Sequence, residues 1–341
     1  MTLDVVAVVA GLVVVGLAVV DELHTTIGPA AGPGPLSRLV VSTARRLTAR
    51  TGSYHRHRSG LLGGPGVVIL VATIATWFML LWLGWGLVFL GGHRAVVSSS
   101  TGAPASVADR FYFAGYTLTT LGNGALQPTG LWEWATVGAA LSGLALVTLA
   151  ITFVAPVVAA VVGKRQFASQ VHALGSTAEE IALSLHGAGG FAAALHVIPP
   201  LSAELAVIVQ QHHAYPLLHE FRSAQRSAAV APAVALLCDA VLVLSRALPP
   251  QQRVPLALER SVLSSVAGYL DATPGRSAPV PPPPVPDLAD LRAAGLVHLS
   301  DAELAECFAA VSELRYGCAQ GVVADGYDWC GGRSPAPGSP S

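Results

Sequence analysis

Two uncharged apolar runs, Val67 to Leu90 and Trp134 to Gly163, decide most of what this chain can fold into. A helix needs about 20 predominantly apolar residues to cross the hydrocarbon of a bilayer, and both runs exceed that length. A third run, Val5 to Val20, lies between Asp4 and Asp21. It lacks the basic leader and small-residue cleavage site of a secretory signal, so it reads as an uncleaved first span. Composition agrees: 52% of the residues are hydrophobic and 11% charged, against about 25% charged in ordinary soluble domains. The 19 basic and 20 acidic residues nearly cancel, which argues against a nucleic-acid partner.

Basic residues orient the spans, because Lys and Arg collect on the cytoplasmic side. The first connection carries Arg38, Arg45, Arg46, Arg50, Arg56 and Arg58. The second carries only Arg94 and Arg110, offset by Asp109 and Glu133, whereas Lys164 and Arg165 follow the third span at once. The expectation is a multi-pass protein of the cell membrane with its N-terminus outside, residues 91–133 facing outward and the C-terminal part in the cytoplasm. Leu36 to Arg50 alternates apolar and basic residues at helical spacing, which fits either a helix lying on the inner lipid surface or a solvated loop helix.

The expected fold is all-α. Residues 1–22 form an N-terminal span, 23–65 a basic linker and 66–163 a central membrane unit. That unit divides into an outer helix at 66–91, a re-entrant segment at 108–125 and an inner helix at 133–163. Residues 164–278 form a helical cytoplasmic domain, 279–286 a proline-rich linker, 287–330 a further helical segment and 331–341 a disordered tail. Helices are expected at Phe167 to His186, Leu201 to His212, Ala228 to Leu248, Arg253 to Leu270, Asp287 to Ala294 and Ser300 to Tyr316. Ser300 and Glu303 have the spacing of a capping box. Ala228 to Leu244 is apolar enough to suggest a fourth span, but Pro232 and Asp239 interrupt it and favour a core helix.

The informative segment is the outward connection. An aromatic stretch from Asp109 to Thr120 runs into Leu121, Gly122, Asn123 and Gly124, with Pro128 close behind. It is too short to span and too apolar for an external loop. Non-helical backbone at membrane depth is tolerated only when buried in protein or lining a water-filled path. Glycines at alternate positions supply positive φ at little cost, as successive carbonyls require if all are to face one axis.

In this order of parts the chain resembles the two-transmembrane bacterial potassium channels, whose filter is written Thr-Val-Gly-Tyr-Gly. Thr119 and Thr120 match the family's threonine pair, Gly122 and Gly124 its filter glycines, and Pro128 its following proline. The resemblance, over about residues 66–163, implies a tetrameric pore. In it the carbonyls of Thr120, Leu121, Gly122 and Asn123, with the Thr120 hydroxyl, replace potassium's hydration shell. No cofactor is implied beyond the permeant potassium or other monovalent cation; the partners are membrane lipid and identical copies of the chain. Leu121 replaces valine, Asn123 the tyrosine that packs outward against an aromatic cuff, and Ala125 an acidic residue. These departures bear on selectivity for potassium over sodium. Tyr112 and Phe113 stand where the cuff belongs, and Asn123 can bond locally. A non-conducting sensor or scaffold with a degenerate pore loop is the alternative reading.

Gly138 and Gly143 on the inner helix fit either a bend for gating or close packing, and Pro156 is a second bending candidate. Trp132 and Trp134 are expected as interfacial anchors. His212, His213 and His219 near Glu220 read as solvated or capping residues rather than a metal site. The Gly187 to Ala192 segment reads as a helix-to-helix turn, since no strand precedes it. Cys238, Cys307, Cys318 and Cys330 show no CxxC spacing and are expected as free thiols. No arrangement of nucleophile and base suggests an enzyme.

Overall fold

The computed structural model describes residues 2–27, 34–50, 65–187, 190–273 and 279–329. The expected tail at 331–341, Cys330 and much of the basic linker, including Arg56 and Arg58, lie outside them. The chain divides into two compact units, residues 1–51 with 67–157, and residues 52–66 with 158–341.

The first unit contains α1 (Thr2–Ile27), α2 (Pro35–Arg50), α3 (Pro65–Leu90), α4 (Val107–Leu118) and the start of α5 (Trp132–Leu174). A ribbon of β1 (Val96–Ser98) and β2 (Leu126–Pro128) joins them, pairing Val96 with Pro128 and Ser98 with Leu126. Helix α1 packs closely on α3. A Cβ on Gly11 would meet the Gly84 carbonyl oxygen at 2.5 Å, and one on Gly84 would meet the Gly11 carbonyl oxygen at 3.0 Å. Small residues let two backbones approach where apolar burial cannot drive association. At the other end of α1, buried Asp21 accepts hydrogen bonds from the Leu36 amide at 2.8 Å, the Ser37 hydroxyl at 2.6 Å and the Trp77 indole at 2.9 Å. It thereby satisfies amides at the start of α2. The first span reaches Ile27, beyond the expected boundary at 22.

In the second unit α5 continues to Leu174, well past the expected end at 163, because Phe167, Ala168 and Val171 are buried along one face. It is followed by α6 (Ala178–Leu185), α7 (Ala194–Ala214), α8 (Val230–Leu242), α9 (Leu256–Ala272), α10 (Ala289–Ala293), α11 (Asp301–Ala309) and α12 (Ser312–Ala324). The expected helix over 167–186 is thus split between α5 and α6, with Thr177 capping α6 through the Glu180 amide at 3.1 Å. Helix α7 begins at Ala194 rather than 201 and contains Pro199 and Pro200. Both prolines are exposed in its second turn, where each removes one intrahelical amide donor. Ser300 and Glu303 form the capping box of α11, and the single helix expected over 300–316 breaks after Ala309.

Helix α8 is the core of this unit. Residues Val230–Ala247 rival the three spans in hydropathy, yet 89% of that window is buried within the protein, against 17%, 33% and 28% for the others. It holds a buried ion pair in which Arg315 donates to Asp239 at 2.7 and 2.9 Å. Arg315 also donates to the carbonyls of Pro283 and Pro284 at 3.3 and 2.6 Å. The proline run is therefore bound to the domain rather than being a plain linker. The protein is an all-α membrane protein with this one short ribbon among the described residues.

Candidate ion pore

Helix α4 is a short amphipathic helix between two spans. Ser106 caps it by accepting the Asp109 amide at 3.2 Å, while the Asp109 carboxylate accepts the Ser106 amide and hydroxyl at 3.2 and 2.6 Å. Its apolar face buries Phe113, Ala114, Tyr116 and Leu118. Phe89 of α3 meets Phe113 edge-on at 5.0 Å, and Phe113 meets Tyr116 at 5.2 Å, the favourable geometry for ring quadrupoles. The Tyr116 hydroxyl donates to Leu126 of β2 at 2.9 Å, and the Trp82 indole donates to the Phe111 carbonyl at 2.8 Å.

Arg110, 8% exposed, holds this unit together in a way its sequence position did not suggest. It donates to the carbonyls of Phe89 at 3.2 Å, Leu90 at 3.4 Å, His93 at 2.7 Å and Ala105 at 3.1 Å. The first two belong to the C-terminal end of α3, whose last carbonyls lack helical donors and carry partial negative charge, and His93 lies in the turn that follows. Arg110 was counted above only for the charge of the outward connection.

After Leu118 the backbone leaves the helix in a tight turn. The amides of Thr120 and Leu121 donate back to Thr117 and Tyr116 at 3.1 and 2.8 Å. From there positive φ falls on every second residue: Thr120 at 56°, Gly122 at 61° and Gly124 at 73°. Left-handed backbone is ordinary for glycine, but a genuine outlier for a β-branched residue such as threonine. Such strain persists only where surrounding structure enforces it, and it concentrates at functional sites. A Cβ at Gly122 or Gly124 would meet nothing within 4 Å, so conformation rather than space requires glycine there.

Residues Thr119 to Ala125 are exposed, Leu121 by 67%. Asn123 donates from Nδ2 to the Tyr112 hydroxyl at 2.7 Å, and Tyr112 meets Tyr116 edge-on at 5.3 Å. The position where the resemblance calls for tyrosine is thus tied to the aromatic face of α4 by a hydrogen bond.

Residues 66–160 match the protein-family model described as "Ion channel". A curated relative, the uncharacterized membrane protein YdjJ of Bacillus subtilis (strain 168), is 31% identical over 298 residues, covering 86% of each chain. The chain belongs to the family of YdjJ. The likeness to YdjJ extends far beyond the 66–160 segment and includes residues on both sides of it. No solved structure matches the chain.

On α5, Gly138 faces Trp85, with 3.0 Å from its built Cβ to the ring edge. Gly143 faces the backbone of Leu118, with its built Cβ 2.7 Å from the carbonyl carbon and 2.9 Å from Cα. The close neighbour of Gly143 is therefore α4 rather than the outer helix. Pro156 lies inside α5, which is helical on both sides of it. Trp132 lies against Gly92, whereas Trp134 is 76% exposed. His212 departs from the expected solvated role: it is 2% exposed, its Nδ1 lies 2.8 Å from the Ile208 carbonyl, and its ring stands 5.0 Å from His219 and 5.7 Å from Tyr269.

Proposed function

We propose that this chain is the pore-forming subunit of a homotetrameric cation channel. It passes potassium through Thr120, Leu121, Gly122, Asn123 and Gly124. The observation that carries the reading is the alternation of backbone handedness at 120, 122 and 124, the conformation that lets consecutive carbonyls line one ion path. Two features support it. The filter segment is open on one side in the single chain, as a wall completed by other subunits would be. Asn123 is braced by Tyr112, which restrains the width of the path where a tyrosine is absent. Helix α4 directs the partial negative charge of its C-terminus toward Thr119, which favours a cation there. The distribution of basic residues orients the N-terminus outward and the C-terminal unit toward the cytoplasm.

Purified protein in liposomes under opposed potassium and sodium gradients tests this. The expected result is a potassium-selective flux from particles of four chains. Gly122→Val, which forces a β-branched residue into left-handed backbone, is expected to abolish it. Flux unaffected by that substitution would place conduction elsewhere. Silent, correctly assembled tetramers would favour a non-conducting sensor, and a monomer would remove the proposed pore altogether.

A further inference from the structure

The second unit contains a cavity of about 80 Å3 beside the turn of α5 that carries Val161, Lys164 and Arg165. Its lining is cationic. Lys164 is 6% exposed, and its ammonium donates to the carbonyls of Leu218 at 2.8 Å and Phe221 at 3.3 Å. An ammonium has three donors, so one remains without an acceptor among the described residues. Arg165 is half-buried on the same lining and forms neither a hydrogen bond nor an ion pair among the described residues. Arg222 adds a third cation; it donates to the Ala324 carbonyl at 2.5 Å, with Nε 3.9 Å from Asp325. His212 and His219 line the cavity as well, and Asp325 is the one carboxylate on its lining among the described residues.

A concentration of positive charge out of water is costly unless a counter-charge accompanies it. Lys164, Arg165 and Arg222 face Asp325 on the lining, and buried Glu220 also acts on Lys164, so among the described residues the cations outnumber the carboxylates by one. A guanidinium fork and an ammonium together match phosphate oxygens, the fork by geometry and the ammonium as a point charge. The cavity is well below the roughly 300–1,000 Å3 of sites for drug-sized ligands, which limits the enclosed group to one tetrahedral anion. We infer that this cavity binds a single phosphate group, carried either by a soluble phosphate or phosphomonoester or by a lipid headgroup. Since α5 is one helix from Trp132 to Leu174, the bound group grips the helix that lines the proposed pore. That last step rests on the channel reading; the binding itself does not.

The test uses the full chain in nanodiscs of phosphatidylcholine, titrated with inorganic phosphate at constant ionic strength. Saturable binding and a raised unfolding midpoint are expected, with no such change from potassium chloride. Arg165→Gln is expected to weaken binding about tenfold or more, while Arg165→Lys keeps most of it. Because Arg165 holds no other group among the described residues, the unliganded midpoint of both variants is expected to match the parent. Nanodiscs containing phosphatidic acid separate the sources: a headgroup ligand blocks the phosphate titration and a soluble one leaves it intact. Absence of saturable binding, or equal affinity in the parent and Arg165→Gln, would overturn the site. Binding is read without conduction, so a silent channel that binds phosphate fails the channel reading alone.

Discussion

Replacing Gly143 with alanine separates packing from hinging on the inner helix. The new Cβ would collide with the Leu118 carbonyl oxygen and sit 2.7 Å from the carbonyl carbon behind it, so restoring ordinary contact at 3.4 Å requires α4 and α5 to part by more than 0.7 Å. Both sides of this contact are backbone, so no side chain can rotate away. Overpacking of this kind costs about 3 kcal/mol, and removing a mid-helix glycine returns about 1 kcal/mol. The expected net loss is about 2 kcal/mol. Leu118 precedes Thr120 by two residues, and functional groups tolerate about 0.5 Å of misplacement. Gly143→Ala is therefore expected to lower the unfolding midpoint in detergent and to reduce potassium flux in liposomes at least tenfold. Gly138→Ala is the control. Its Cβ meets only the Trp85 ring edge at 3.0 Å, which a side chain can relieve, so stability is expected to change by less than about 1 kcal/mol. A hinge shared by the two glycines predicts similar effects on gating from both substitutions. Equal behaviour of the two variants, or a Gly143→Ala protein as stable and active as the parent, would refute the packing argument.

Tyr112→Phe removes the acceptor of Asn123. An exposed neutral bond contributes about 0.5–1 kcal/mol, so the potassium-to-sodium permeability ratio is expected to fall about two- to fivefold in bi-ionic reversal potentials. Arg110→Met leaves the carbonyls of Phe89, Leu90, His93 and Ala105 without their donor. A loss of about 3 kcal/mol is expected, read as a lower unfolding midpoint and a reduced yield of assembled particles. Asp239→Ala strands the Arg315 guanidinium in the core at a cost of about 3–5 kcal/mol. In thermal unfolding, the double change Asp239→Leu with Arg315→Met is expected to be milder than the single one.

The spans were legible because apolar length is a local property: Val67 to Leu90 announces a helix whatever surrounds it. The left-handed backbone at Gly122 and Gly124 was legible, because glycine spacing carries a backbone requirement directly. Thr120 was read for its hydroxyl and carbonyl; its positive φ was hidden, because strain on a β-branched residue is imposed by the turn that returns amides to Tyr116 and Thr117. The end of α5 was misplaced because Lys164 and Arg165 resemble a membrane boundary, and their charge masks the apolar face of Phe167, Ala168 and Val171. Pro199 and Pro200 resemble punctuation until their exposure is known. Asn123 posed a question that only distance could answer, since its partner Tyr112 lies a helix earlier.

Asp21 has a consequence for where a working fragment of this protein can begin. One carboxylate rivets α1 to the start of α2 and to Trp77 of α3, while Gly11 and Gly84 seat the two spans against each other. Cutting the chain at residue 66 would strip a fitted face from α3 and strand the indole of Trp77. The extra span is thus part of the wall that keeps α3 upright, and the smallest self-supporting pore begins with it.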